Sequence, residues 1–448
     1  MEIKPKLNHY DLTMIVVGLV IGMGIFRTPV EVASKAGTVE VFFAAWIVGA
    51  IVSFIGAMTF AEIGVRHPAA GGFYGIFSRC YHPAFAFMVN WIIVISNAVS
   101  TAAVAIMGSE YLAPLFLPSW GESGVQLISI TAIVILYVVN MSGFRLSAKT
   151  LNGLMVFKLF LIFLIIMIAV VGFAPAQLVA ETGLPMEQDE ASPWSAFVLC
   201  FIPVFFTYGG YQQTMNFGGD VINPHRNIPR AVLTGITIVL IAYLAANYAY
   251  TEVIGFEKLK NSSTLAADVI GAAFGGYAHD VVSVLMFLSV MAYVNVSLMS
   301  NPRVYHAMAH DGVMPSVFGK VNPKTQVQEY GVTFFCVVIV VVLFFLSSFE
   351  RILGFIMFFD SISILAAAAA IFIMRKRERD AGIIEQGYRI WGYPWLPLVF
   401  ILVYGAVSFS VMYADPRIYA VGMALFILGY PLYHFMRRTL KKNNISNA

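Results

Sequence analysis

The chain has 448 residues, 59% of them hydrophobic and 11% charged, whereas soluble globular proteins carry about 25% charged residues. That balance excludes a soluble domain, and a net charge of +3 without a long basic block offers nucleic acid no surface. Cys80, Cys200 and Cys336 are odd in number and far apart, so neither a disulfide framework nor a CxxC metal or redox pair is available.

A helix crosses a bilayer with ~20 mostly apolar residues. Such windows recur near 11–36, 39–65, 83–113, 125–141, 150–173, 195–220, 230–254, 279–309, 332–347, 352–374, 396–413 and 418–436. The spacing predicts an all-α membrane protein of twelve transmembrane helices, because backbone polar groups in hydrocarbon must be satisfied within the segment and barrel-type alternation is absent. The first stretch starts at Asp11, lacks a small-residue cleavage site and is about twice the length of a signal-peptide core, so it is expected to be retained. Loops between odd and even spans differ in charge. With the N-terminus inside, most of the 27 Lys and Arg residues fall in inner loops, including Arg66, Arg79, Arg303, the run Arg375-Lys376-Arg377 and the tail from Arg437 to Lys442. By the positive-inside rule both termini are cytoplasmic, and the acidic segment 181–190 is an outer loop. The segments 69–80 and 264–277 are expected to form short helices at the membrane surface.

Span one carries Gly22-Met23-Gly24-Ile25-Phe26 in mid-membrane, and span six carries Phe206-Thr207-Tyr208-Gly209-Gly210-Tyr211 at similar depth. Close glycines permit unwinding, while the plainer reading of either motif is tight helix packing. Their placement as a pair favours broken helices, since carriers built from inverted repeats keep one discontinuous helix in each half with the substrate between them. On that reading residues 11–173 form the first repeat, 195–374 the second, and 396–436 supply helices eleven and twelve, all within a single domain spanning 1–448.

Unwinding frees backbone groups that a zwitterion satisfies. The N–H groups of Met23, Gly24 and Ile25 open the outer half of span one and favour a carboxylate. Carbonyls of Val20, Ile21, Phe206, Thr207 and Gly209 suit an ammonium. Lys158 lies well inside span five, where an ionisable side chain is costly and functional by default; the alternative is that it snorkels to the inner interface. Asp360 is the other intramembrane charge, and it either faces the cavity, pairs with Lys158 or lies near water. No HExxH, GxSxG, P-loop or metal-spaced His or Cys group is present, which leaves an enzyme without machinery. No cofactor or metal is expected.

These motifs resemble the amino acid–polyamine–organocation transporters, most closely their L-type amino acid transporter branch. The resemblance rests on Gly22 to Phe26 with Pro29, Ala61-Glu62-Ile63-Gly64, Gly71-Gly72-Phe73-Tyr74, Phe206 to Gly210, Asn223-Pro224 with Asn227-Ile228-Pro229-Arg230-Ala231, and Pro302-Arg303 leading to Ala307 through Gly312. It implies a five-plus-five inverted repeat with helices one and six broken, and alternating access. Carried over by position, it makes Phe206 an aromatic gate, Met23 and Gly24 carboxylate-binding amides, and Val20, Phe206, Thr207 and Gly209 ammonium acceptors. It puts Lys158 where sodium-dependent relatives hold an ion, with the Ser297 hydroxyl beside it, and so implies a sodium-independent amino acid transporter, either an exchanger or a proton-linked uniporter. Ser96, Asn97, Tyr293 and Asp360 depart from the aliphatic pocket of large-neutral-amino-acid carriers and point to a small or polar substrate. The loop 114–124 has no Cys, so no disulfide-linked heavy subunit is expected. The expected partners are an amino acid and membrane lipid, and the expected site is the plasma membrane of a free-standing, prokaryotic carrier. A polyamine or cationic amine carrier, or an amino acid sensor without flux, are the competing readings, and the lack of an appended soluble domain argues against the sensor.

Overall fold

The computed structural model describes residues 6–22, 24–68, 72–172, 193–262, 265–345, 349–382, 387–414 and 416–446. Met23 and the segment 181–190 lie outside the described residues. The first span is two helices, α1 (His9–Val20) and α2 (Gly24–Ala36), followed by α3 (Val39–Arg66), a short α4 (Gly72–Cys80), α5 (Pro83–Phe116), α6 (Gly121–Met141) and α7 (Phe144–Val171). The second half begins with α8 (Pro193–Tyr208) and continues through 3₁₀ turns at Tyr211–Asn216 and Gly218–Asp220 into α9 (Pro224–Ile254), α10 (Phe256–Asn261), α11 (Leu265–Phe274) and α12 (Gly276–His310). The helices α13 (Glu329–Phe345), α14 (Phe349–Ala381), α15 (Trp395–Ala414) and α16 (Pro416–Ser446) complete the chain.

Each hydropathy span thus meets a helix, and α4 and α11 are the two expected short ones. Seven of the described helical stretches are long and apolar enough to cross a membrane on those criteria alone. The tenth and twelfth spans extend as helix well past their apolar windows, to Ala381 and Ser446, because hydropathy marks the lipid-facing length and not the point where hydrogen bonding stops. The sixth span departs more. Beyond Gly210 it runs as 3₁₀ turns and not as a second α-helical half.

Local chemistry sets the helix starts. Asn8 and Asp11 form a reciprocal capping box at α1, and the Thr38 hydroxyl accepts from Val41 N at α3. The α5 start has His82 as N-cap and Pro83 in the first turn, where a missing N–H costs nothing. The helices α5 and α12 pack together at the centre of the bundle. On α5 the small residues Ala98, Ala102, Ala105 and Gly108 are buried, and Gly108 packs against Val290 and Met291 of α12. Such small residues let membrane helices approach closely. By contrast α6 and α7 expose Val134, Ile135, Val138, Phe157, Phe160 and Phe163, the pattern of a lipid-facing wall.

The end of the bundle that holds Lys6, Arg66 and Arg375 is closed by buried charges. Asp220 pairs with Arg303 at 2.6 Å, both almost fully buried, and its carbonyl accepts from the Lys6 and Leu7 amides. The Arg303 guanidinium lies 4.4 Å from the centre of the Phe217 ring and 5.0 Å from that of Phe144. Nearby, Glu62 of α3 is inaccessible to solvent and accepts from Arg66 Nε at 2.9 Å, from Arg375 Nε and Nη2 at 2.8 Å, and from the Ile390 amide at 2.7 Å. One carboxylate therefore joins α3, α14 and the segment leading to α15. Removing one member of a buried ion pair costs ~3–5 kcal/mol, whereas apolar replacement of the pair is often neutral. Glu62→Ala is expected to lower the unfolding temperature of the purified protein sharply, and adding Arg375→Met should restore part of the loss; strictly additive losses would contradict the shared-carboxylate account.

Candidate functional site

The two interruptions face each other across the bundle. α1 ends at Val20, with the Ile21 amide on Val17 O and the Gly22 amide on Val20 O, both at 2.8 Å. Two residues after α8 ends, Gly210 adopts φ +112°, and a Cβ there would overlap the Leu19 carbonyl. Only a glycine meets both demands, which brings backbone against backbone. One turn along, a Cβ on Gly24 would lie 2.8 Å from Thr207 Cγ2, so the start of α2 sits directly against the end of α8.

Freed backbone groups of the first break are largely answered by distant side chains. Val20 O accepts from the Tyr243 hydroxyl of α9 at 3.0 Å as well as from Gly22 N, which fills both its lone pairs. Ile21 O accepts from Lys158 Nζ of α7. Sequence reasoning offered both carbonyls to a ligand; the structure occupies them from within, as unwound backbone in hydrocarbon requires. Lys158 is fully buried, so it does not snorkel, and no ion pair to Asp360 is present among the described residues. At the second break Phe206 O accepts from Gly209 N at 3.3 Å, the Thr207 hydroxyl turns back to Pro203 O at 2.8 Å, and the Gly210 amide is capped by Gln212 Oε1 at 2.9 Å.

Between the breaks lies a cavity enclosing about 780 Å³. Of the residues expected at the site, it brings together Val20, Gly24, Phe206, Thr207, Gly209, Asn97, Tyr293 and Asp360. Ile21, Ile25, Lys158 and Ser297 do not line it; Ile25 is buried in the core, and Met23 is outside the described residues. The Tyr293 hydroxyl lies 3.1 Å from Ser100 Oγ, tying α12 to α5 along the cavity wall. Asn97 donates to Asn301 Oδ1 at 2.7 Å, and Asn301 in turn donates to Ser297 O and Oγ. Ser297 Oγ is 2.7 Å from Thr101 Oγ1. Ser297 is thus part of a buried α5–α12 network, and among the described residues it makes no hydrogen bond with Lys158.

The cavity also has walls that sequence reasoning did not single out: Arg27, Ser100, Gln212, Gln213 and Tyr404. Gln212 and Gln213 were visible as two amides in the middle of a membrane span, a signal of the same kind as Lys158. Tyr404 belongs to α15, outside the two segments expected to form repeats, and nothing local marks it. A second, smaller cavity of about 340 Å³ lies toward Phe73, Asn90 and Val304, and shares Asn97, Gln212, Gln213 and Asp360 with the first. Those four polar residues form the partition between the two spaces. Among the described residues no group of three or more His, Cys, Asp or Glu side chains is placed to hold a metal. The arrangement offers a small molecule helix-end backbone groups and a polar floor, and among the described residues of its lining there is no nucleophile–base pair.

Comparison with known proteins accords with this geometry. The chain is 26% identical over 439 residues to the large neutral amino acids transporter small subunit 2 of Rattus norvegicus, covering 96% of this chain and 80% of that protein. It is 25% identical over 443 residues to the serine/threonine exchanger SteT of Bacillus subtilis, covering 97% and 98%. It is also 25% identical over 442 residues to the human cystine/glutamate transporter, covering 97% and 85%. Residues 7–430 match the sequence model of the amino acid permease family. The chain belongs to that family, and its activity is the transport of amino acids across a membrane.

Proposed function

We propose that the chain is a sodium-independent amino acid exchanger for small or polar substrates, working by alternating access across the plasma membrane with both termini in the cytoplasm. The observation that carries this reading is the contact of Lys158 Nζ with Ile21 O. A fixed ammonium there answers a carbonyl that a bound cation would otherwise have to satisfy. Lys158→Ala is expected to reduce flux in proteoliposomes at least tenfold, and wild-type uptake should be unchanged when sodium is replaced by choline. A strict sodium requirement would overturn the role given to this lysine.

The substrate carboxylate is assigned to the Gly24 and Ile25 amides that open α2, with the Met23 amide, outside the described residues, expected to join them; the first amides of a helix lack intrahelical partners and its dipole favours an anion. With Val20 O doubly engaged, the ammonium is assigned to the carbonyl end of α8 at Phe206, Thr207 and Gly209, and Phe206 is the gate. Gly24→Val should abolish transport by driving a branched side chain into Thr207, with the protein still folded. Amino acid methyl esters should compete far more weakly than the parent acids; equal competition would refute the carboxylate assignment.

Asn97, Ser100, Gln212, Gln213 and Asp360 give the cavity a hydrogen-bonding floor, which supports a polar side chain in the substrate. The name of the Bacillus subtilis relative, a serine/threonine exchanger, is in keeping with that class. Asp360 also favours a second reading, a cationic amine or polyamine as cargo. Asp360→Asn should shift substrate ranking from cationic toward neutral compounds in a competition screen of the twenty amino acids and several amines. An unchanged ranking at normal protein yield would remove Asp360 from the substrate pocket. The three cysteines are buried within the chain, away from a partner's thiol, in keeping with function without a disulfide-linked subunit. The first inverted repeat is placed at 11–173 and the second at 195–374, with helices eleven and twelve at 396–436.

A further inference from the structure

The basic end of α14 borders a groove enclosing about 890 Å³, away from the central cavity. Four cations line it, Arg375, Lys376, Arg379 and Arg389, against one carboxylate, Glu378, and its aromatic wall includes Tyr393. Arg375 is committed, stacked 3.8 Å from the centre of the Tyr393 ring and bound to Glu62. The others are loosely held. Arg389 reaches Glu378 at 3.4 Å with its side chain 45% exposed, and Arg379 reaches only its neighbour Asp380 at 3.8 Å with 79% exposed. Lys376 is exposed and has no ion-pair partner among the described residues. Exposed pairs of this kind are weak, so their cations are available to a stronger acceptor.

What surrounds the groove identifies that acceptor. Trp391 and Trp395 stand two residues to either side of the lining residue Tyr393 in the chain, each 72% exposed, and tryptophan concentrates at the headgroup level of membranes. From Trp395 a stripe of exposed side chains runs along one face of α15 through Val399, Leu402, Ala406 and Phe409, at the i, i+4, i+7 spacing of a single helix face. The cationic pocket and the start of this apolar track are thus joined through Tyr393 and Trp395, two residues apart in the chain. A soluble anion would use the pocket alone; a phospholipid would use both.

We propose that this groove is a headgroup site for an anionic phospholipid, its phosphate held by Lys376, Arg379 and Arg389 and an acyl chain lying along the outer face of α15. Guanidinium groups match phosphate in two-point geometry, and basic pockets between membrane helices take anionic headgroups by this chemistry. The site stands apart from the substrate cavity, so it holds whatever the cargo is.

The test is native mass spectrometry of the purified, detergent-solubilised full chain titrated separately with phosphatidylglycerol and phosphatidylcholine. Lys376→Gln with Arg379→Gln should weaken phosphatidylglycerol retention on the order of 20-fold, from roughly fivefold per basic charge removed, and leave phosphatidylcholine adducts unchanged. Arg226→Glu, an exposed charge at the start of α9, should leave both unchanged. Millimolar inorganic phosphate should not displace the lipid. Equal retention by the double variant, an equal loss in Arg226→Glu, or displacement by free phosphate would each overturn the proposal. Both glutamine substitutions are at exposed positions, and an unaltered unfolding temperature verifies that the comparison is between folded proteins.

Discussion

An unwound backbone in the middle of a membrane is the constraint on which this structure turns. Each freed amide or carbonyl costs several kcal/mol in hydrocarbon unless something answers it. The protein answers unevenly. At the end of α1 the carbonyls of Val20 and Ile21 are taken by Tyr243 and Lys158, residues 223 and 137 positions away in sequence, and Gly210 folds in against Leu19. Gly24, at the start of α2, and Phe206 and Thr207, at the end of α8, line the cavity instead. The fold thus satisfies the carbonyls that end α1 from within.

Closure at the basic end follows a separate logic. Glu62 with its arginines and Asp220 with Arg303 are buried pairs whose hydrogen bonds are largely met within the protein. They tie α3 to α14, and the turn after α8 to α12, at the end toward which the smaller cavity points. Above them, Asn97, Gln212, Gln213 and Asp360 separate that space from the larger one. A wall made of amides and one carboxylate is better suited to opening than a wall of packed aliphatic side chains, because its groups can exchange partners with water when it parts. The rigid charge pairs and the polar partition are therefore different devices at successive depths.

Much of this was legible in the chain. Hydropathy reports lipid contact over the length of a helix, so the twelve spans and the short helices α4 and α11 followed from composition alone. The two glycine clusters marked both breaks, because the backbone there needs positive φ or close approach, demands that act on residue type directly. Partnership was not legible. Nothing near Lys158 in sequence names Ile21 as its acceptor, and Ser297 reads equally well as a neighbour of Lys158 or of Thr101. The 3₁₀ course after Gly210 was hidden for a similar reason: its turns answer to packing against α1 and to the Asp220 contacts, which are long-range. The Glu62 hub shows the limit most plainly. Its motif was visible as Ala61 to Gly64, but its meaning lies 313 and 328 residues downstream, in Arg375 and Ile390.

The two intramembrane charges make the same point in physical terms. On sequence grounds pairing Lys158 with Asp360 would have neutralised both, yet among the described residues they do not meet. Lys158 is fully buried with a carbonyl for company, whereas Asp360 lines both cavities and is only half-buried. A direct pair would have locked α7 to α14 and removed the one acidic group from the cavity. Kept apart, each charge is stabilised by a different means, the ammonium by a backbone dipole and the carboxylate by space that water or cargo can fill. The cost of burying Asp360 then depends on what occupies the cavity, and that dependence gives a carrier a reason to distinguish one amino acid from another.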